Sequence, residues 1–419
     1  MKNFNWVRFF GNNVAGVGLI SFVSSTAFWQ ISSLTLLVAS LHAFTASNSH
    51  AWGQYGHEQI NDAAVSLFGT STRLGQCFNS NRYIMKRYSI TPDVEWKADF
   101  PLSRLSQADL AKRADNDKYE HSLHFLDADA WVPHAKKGEI ASHFPMGEYS
   151  QVFPDLKQKV SQNLNYIMEI DPSKRPESPN GLSVNEVVEF GSAPWRILQI
   201  YRLAVQALRE NNTELALFHL ATLGHYVGDI TQPFHTSVNY DGQYYLDKNN
   251  KVHSLRGIHS ATDTRVLPRH GKDTHFVYAD FDKTKTPVEE KALALLKKKP
   301  ALTERLILSE AISLVDDAFL EIPYLLEKYS ESNIGGLSDE GKFSIQVREK
   351  INAQLAASVA FLVRIWEAAY EEAGRPSMND CRGFRFNQTL AIQNYPKPTS
   401  DSLFGYIVDG FIPQRKKTQ

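Results

Sequence analysis

From Trp52 onward the chain predicts an all-α fold, on three observations. Apolar residues recur at helical spacing, no set of alternating strands interrupts them, and no repeat with a period of roughly 20 to 50 residues is present. Residues 57–68 (HEQINDAAVSLF) read as the first helix. Residues 153–170 read as a second, amphipathic one, stopped by Asp171-Pro172 because proline disfavours helical backbone in the residue before it. Between them, 69–147 is rich in aromatic and polar residues without a helical period, and it predicts a long loop of the kind uncommon without a function. The polar SKRPESPNG (173–181) reads as a linker. Helix is predicted over 184–210, interrupted at Ala193-Pro194-Trp195, and over 213–227, followed by a loop at 238–250 (VNYDGQYYLDKNN). Further helices are predicted over 287–299, 302–328 and 338–373. The main domain is expected to span 52–374, with 375–419 an irregular C-terminal extension ending in a solvated basic tail.

Composition is that of an ordinary globular protein, 42% hydrophobic and 22% charged, so a substantial core is affordable and disorder is not the default. The net charge is −1. Residues 1–51 contain Lys2 and Arg8 and no acid, which leaves the rest slightly acidic and gives no bias towards polyanions.

Those first residues read as a signal peptide: basic Lys2 and Arg8, apolar stretches at 14–28 and 31–44, then Ser49-His50-Ala51 as a small-x-small cleavage site. Cleavage after Ala51 is expected, with a secreted or periplasmic product. An uncleaved anchor or a start codon assigned too early is the alternative for so long a leader. Cys77 and Cys381 both survive cleavage, and in an oxidising compartment they could join the two ends of the mature chain. Two distant cysteines do not make a thiolate metal site, so any metal has to rest on imidazole and carboxylate.

The chemistry concentrates in LGHYVGDITQPFHT (223–236). His225 and Asp229 are four apart, which on a helix stacks their side chains on one face where they can converge on one ion; His235 follows just past Pro233. GIHSATDT (257–264) repeats the spacing with His259 and Asp263. One such pair is ordinarily a surface pair or a cap, whereas two pairs with His235 between them suit zinc. HSLHFLDAD adds His124 beside Phe125, and TPD offers Asp93 after a proline. Cleavage would also give Trp52 a free α-amino group of pKa near 8, able to chelate a metal together with its own carbonyl, with His57 completing that site. The bland alternative makes Trp52 a core aromatic at an incidental cut.

In this order, WGxxGH, HFLD, GHYVGDxxQPFH and GIHxxxD resemble the zinc-dependent phospholipase C and S1/P1 nuclease superfamily, over roughly 52–373. That resemblance implies a multi-helix fold around a trinuclear zinc cleft. By the same resemblance Asp93, His124, His225 and Asp229 would hold one zinc ion, with Asp93 counted as catalytic too. His235, His259 and Asp263 would hold a second. A third would take the amine and carbonyl of Trp52, His57 and, as a bridge, Asp229. Asp99, in WKAD, competes with Asp93 for its place; Asp93 is preferred because the preceding proline fixes its backbone, and 100–118 would then be an insertion near the site mouth. Asp127 or Asp129 is expected to orient His124 through its other ring nitrogen.

The resemblance implies a secreted phosphoric ester hydrolase acting through zinc-activated water. No G-x-S-x-G or reactive Cys-His signature suggests a side-chain nucleophile. HFLDAD, the Pro-Asp site and HTSVNYDGQ resemble bacterial phospholipases C, while the Trp52-to-His57 spacing and Asp263 resemble the nucleases. Apart from Lys136-Lys137 and the more distant Lys297-Lys298-Lys299, no basic cluster lies beside the metal motifs, which favours phospholipid at a membrane surface as the substrate over single-stranded nucleic acid or nucleotides. Phe125 and Tyr240 are the expected substrate contacts, with Phe100, Trp131, Phe144, Tyr244 and Tyr245 as further aromatics at the mouth. A non-catalytic secreted zinc-binding protein is the alternative of a different class; a site with only three protein ligands argues against it.

Overall fold

The computed structural model describes residues 52–128, 191–237, 239–243, 245–246, 252–267, 287–332 and 340–398. The leader at 1–51, the helix expected at 153–170, the linker, Asp129, Trp131, Phe144, Tyr244 and the basic tail lie outside these residues. What is described is mostly helical, as the periodicity predicts. The exception is a short antiparallel pair, β1 (Tyr245–Leu246) with β2 (Val252–His253), within and just beyond the expected loop.

Helix α1 (Gly53–Phe68) starts earlier than its apolar pattern predicts. Trp52 enters it in the left-handed region (φ 51°), followed by Gly53 (φ 55°), and the Trp52 carbonyl accepts the Gly56 N–H at 3.0 Å. A glycine at 56 is required there, since a Cβ would lie 2.5 Å from that of Trp52.

The stretch expected to be a loop, 69–147, is largely helical where it is described. It holds α2 (Arg73–Ser80), α3 (Arg82–Ser89), a π-helical turn at Pro92–Trp96, α4 (Gln107–Glu120) and a 3-10 turn at His121–Leu123. Helices of about two turns, α2 and α3, display too little periodicity to be read from sequence and owe their stability to packing, while the longer α4 buries Asp109, Arg113, Asn116 and Glu120 in place of an apolar stripe. The caps were the available signal: Thr72 accepts the Gly75 N–H and Ser106 that of Asp109, each at 3.0 Å. The aromatics that suggested a loop, among them Phe78, Tyr88 and Trp96, are fully buried core.

Pro194 stands at the start of α5 (Ala193–Arg209), so the expected interruption is a helix beginning, where the missing N–H costs nothing. Helix α6 (Thr213–Asp229) is buried on almost every face, wedged among α1, α3, α5 and the 33-residue α11 (Glu340–Glu372). Its start is capped by Asn212, which accepts the Leu215 N–H at 3.3 Å. A brief α7 (Ile258–Ser260) runs into a second π-helical turn at Ala261–Arg265. Beyond α8 (Pro287–Leu296), the helix expected over 302–328 is two, α9 (Glu304–Phe319) and α10 (Ile322–Ser332). Pro323 explains the break, because its ring clashes with the carbonyl one turn earlier.

The C-terminal extension is not irregular throughout. It carries α12 (Gln388–Gln393), capped by Asn387, and it buries Met378, Ala391, Ile392 and Tyr395. Cys77 and Cys381 form a disulfide with Cα atoms 5.4 Å apart, tying the extension to α2. The bridge closes a span of 304 residues. Chain-entropy reasoning makes such a closure worth about 4 kcal/mol or more.

Candidate metal centre

Helix α6 brings its last turn, with His225 and Asp229, into the protein interior. Two glycines on it permit the close approach of α1. Asn61 of α1 fills the space a side chain at Gly224 would need and donates to the carbonyls of Met85 (2.8 Å) and Ala221 (2.9 Å), binding α1, α3 and α6 together. At Gly228 a Cβ would lie 2.8 Å from His57 Nδ1, so the glycine makes room for that imidazole. His57 then stacks on His225 with ring centroids 3.9 Å apart.

Four ligand-type atoms from three stretches of chain converge here: Asp93 Oδ1 from the Pro92–Trp96 turn, His124 Nδ1 from just after the His121–Leu123 turn, and His225 Nε2 and Asp229 Oδ2 from α6. His124 Nδ1 lies 3.0 Å from both His225 Nε2 and Asp229 Oδ2, and 3.9 Å from Asp93 Oδ1. His225 Nε2 lies 3.4 Å from Asp229 Oδ2 and 3.7 Å from Asp93 Oδ1. A tetrahedral ion with bonds of roughly 2.0–2.2 Å has its ligands roughly 3.3–3.6 Å apart. These five edges bracket that spacing. All four residues are buried, and among the described residues neither oxygen of Asp229 has a hydrogen-bond partner, an arrangement costly for a carboxylate unless a cation joins it.

The other oxygen of Asp229 faces elsewhere. Oδ1 lies 3.5 Å from His57 Nε2, so the carboxylate spans two groups of imidazoles in the manner of a bridge. Trp52 is fully buried beside it, and its indole Nε1 donates to the carbonyl of Gly228 at 2.9 Å. The sequence placed residues 52, 57 and 229 at one site, and they are neighbours.

A second cluster is formed by His235, His259 and Asp263. His259 Nε2 and Asp263 Oδ2 are 2.8 Å apart, and the ring centroids of His235 and His259 are 5.0 Å apart. His235 is aimed by its Nδ1, which sits 2.9 Å from the carbonyl oxygen of His124; its Nε2 has no hydrogen-bond partner among the described residues. Asp241 Oδ1 accepts the backbone N–H groups of Gly257 (2.9 Å) and His259 (3.2 Å), fixing the start of the short helix that carries His259. Gln232 donates to Asp263 Oδ1.

The electrostatics suit a cation. Burial holds the imidazoles of His124, His225 and His235 well below the usual histidine range, so they stay neutral and keep a lone pair to offer. Burial, and then the neighbouring Asp93, pushes the Asp229 carboxyl well up. Lys97 supplies one fixed cation. Its burial opposes the charge, but Asp93, Asp229 and Glu120 outweigh that and raise it. Lys97 Nζ lies 2.9 Å from Asp93 Oδ1; a carboxylate oxygen has two lone pairs and can serve a lysine and an ion together.

Of the two aspartates weighed for the first cluster, Asp93 is the one inside it, and Asp99 is exposed at the surface. Residues 100–118 do not merely extend the mouth: α4 packs against the Pro92–Trp96 turn and α12. Glu120 Oε1 lies 3.1 Å from His124 Nε2, a carboxylate neighbour the sequence reading did not name; Asp129, weighed for that place, lies outside the described residues. Glu120 and His124 repeat the four-residue spacing with the carboxylate first, a signal present in the sequence and overlooked, as was Asp93 with Lys97. Tyr240 is half exposed, its ring 6.0 Å from that of His259, at the edge of the second cluster. Phe125 is part-buried, with its ring edge-on to His121 at 6.4 Å.

No family model, curated protein or solved structure matches the chain.

Proposed function

We propose that this protein is an exported zinc-dependent phosphoric ester hydrolase, acting as a phospholipase C on glycerophospholipid head groups. The observation that carries the reading is the pair of buried His/Asp clusters, with Asp229 extending one oxygen towards each imidazole group of the first. Asp93, His124, His225 and Asp229 would hold one zinc ion; His57, Asp229 and the freed amine and carbonyl of Trp52 a second; His235, His259 and Asp263 a third. Bound zinc supplies a water of lowered pKa and positive charge for the phosphoryl oxygens.

The chain's own groups do the rest. The three neutral imidazoles donate lone pairs without first losing a proton. Lys97 fixes the Asp93 carboxylate at 2.9 Å. The second cluster has three protein ligands, which leaves a position for substrate and favours turnover over zinc storage. Tyr240, exposed beside that cluster, would be the residue to meet a lipid head group or the interface around it.

The deciding experiment offers the zinc-loaded chain beginning at Trp52 three substrates side by side: phosphatidylcholine, phosphatidylglycerol and single-stranded nucleic acid. Release of phosphorylated head group is expected. Consumption of the nucleic acid alone would replace the lipid reading with that of a nuclease, which the Trp52-to-His57 spacing and Asp263 favour. Full zinc content with no turnover on any of them would leave a zinc-binding protein.

A further inference from the structure

The first cluster is backed by a buried charge network. His124 shows Nδ1 to the cluster and Nε2 to Glu120, the last residue of α4, whose Oε1 is 3.1 Å away. The same oxygen accepts the hydroxyl of Tyr226, the neighbour of His225 on α6. The other oxygen of Glu120 lies 3.1 Å from Arg196 Nη2 on α5. Arg196 is itself pinned on every side. Its Nε donates to the Tyr226 hydroxyl at 3.2 Å, and its Nη1 to Gln199 Oε1 at 2.6 Å and to the carbonyl of Pro396 in the C-terminal extension. Its guanidinium sits over the rings of Tyr395 and Trp96 at 4.9 and 5.3 Å.

Glu120 and Arg196 are both fully buried. Taking such a pair out of water costs several kcal/mol per ion, and an apolar pair of the same volume is often as stable or more so. Holding three helices together therefore does not require these charges. What an apolar pair cannot do is select which nitrogen of His124 carries the proton. A carboxylate at Nε2 favours the Nε2–H tautomer, which leaves the Nδ1 lone pair aimed at Asp229 Oδ2 and His225 Nε2, 3.0 Å away. The other cluster histidines are aimed by backbone carbonyls instead, His225 by Ser89 and His235 by His124. His124 alone of these three is aimed by a carboxylate.

We propose that Glu120 is a positioning residue for the first cluster: its carboxylate, 3.1 Å from His124 Nε2, favours a proton on that nitrogen and so commits Nδ1 to the metal, while Arg196, braced by the carbonyl of Pro396, holds Glu120 in place. This rests on the metal reading above. It also gives the C-terminal extension a task, since the segment clamped by Cys77–Cys381 reaches back to brace the arginine that holds Glu120.

The test uses the purified chain beginning at Trp52, loaded with cobalt(II), whose visible absorption reports ligand geometry, together with equilibrium metal titration. Glu120→Gln keeps size and a neutral acceptor, and Glu120→Leu removes the acceptor. Affinity for the first-cluster ion is expected to fall in the order wild type, Gln, Leu, with a loss of roughly 10- to 100-fold. The cobalt bands should move, and kcat should fall with KM little changed. Should the Leu variant fail to fold by circular dichroism, the isosteric Gln variant decides. Wild-type cobalt bands and affinity in a folded Gln variant overturn the positioning role and leave the metal reading intact. Failure of the wild-type chain to bind cobalt sinks the metal reading, and this inference with it.

Discussion

The two clusters are built in different ways. The first gathers residues from α1, the Pro92–Trp96 turn, the segment after α4, and α6, scattered from 57 to 229, and its members are at most 3% exposed. The second takes His235 from one turn and an i, i+4 pair from another, lies under a half-exposed tyrosine, and has its ligands fixed by nearby backbone and by Gln232 and Asp241. A site drawn from distant elements is a by-product of packing and fails with it. A site of local spacing depends less on packing elsewhere.

The largest expected break is His225→Ala. His225 is shared by both His/Asp groups of the first cluster, so metal there and turnover should both be lost, measured by plasma emission analysis of zinc and by hydrolysis assay. Retention of full zinc content would remove His225 from the ligands. His259→Ala should be milder: the second cluster loses its ion while the first keeps its own, and turnover falls by roughly 10²–10³, the scale of losing one electrostatic contact to the reacting group. Loss of all zinc would show the clusters to be coupled.

Gly228→Ala probes packing alone. The new Cβ meets His57 Nδ1 at 2.8 Å, so the imidazole or helix α1 must shift, at a cost of about 1–3 kcal/mol in thermal or denaturant unfolding. The ion nearest Trp52 should be lost before the ion between His124 and His225.

The smallest effect is a control on pH. His219 is buried on α6, six residues before His225, and burial together with Arg196 pushes it down to about 3. In the unfolded chain it titrates near 6.5. Its depressed value makes a stability contribution fully present above about pH 6.5 and lost as pH falls towards 3, at no more than about 1.4 kcal/mol per pH unit. His219→Phe should flatten that part of the acid limb in unfolding experiments without altering zinc content. A change in zinc content would tie His219 to the clusters.

How much of this was legible in the sequence follows the same contrast. His225 with Asp229 and His259 with Asp263 are readable because a helix repeats every 3.6 residues whatever surrounds it. Glu120 with His124 obeys the same spacing and was readable too. The short helices of the 69–147 stretch and α12 were not, because two turns carry no statistical period and their burial is settled by neighbours far away in the chain. The choice of Asp93 over Asp99 leaned on the backbone bias a preceding proline imposes; in the fold Asp93 lies inside the cluster and Asp99 faces solvent.

The sequence by itself determined the chemistry available: imidazole and carboxylate at one-turn spacing, no thiolate pair, and helices to carry them. Only the tertiary structure decided which distant groups converge. Local spacing sets directions along a single element, whereas the 3.0–3.9 Å separations among Asp93, His124, His225 and Asp229 depend on how α6 is wedged between its neighbours.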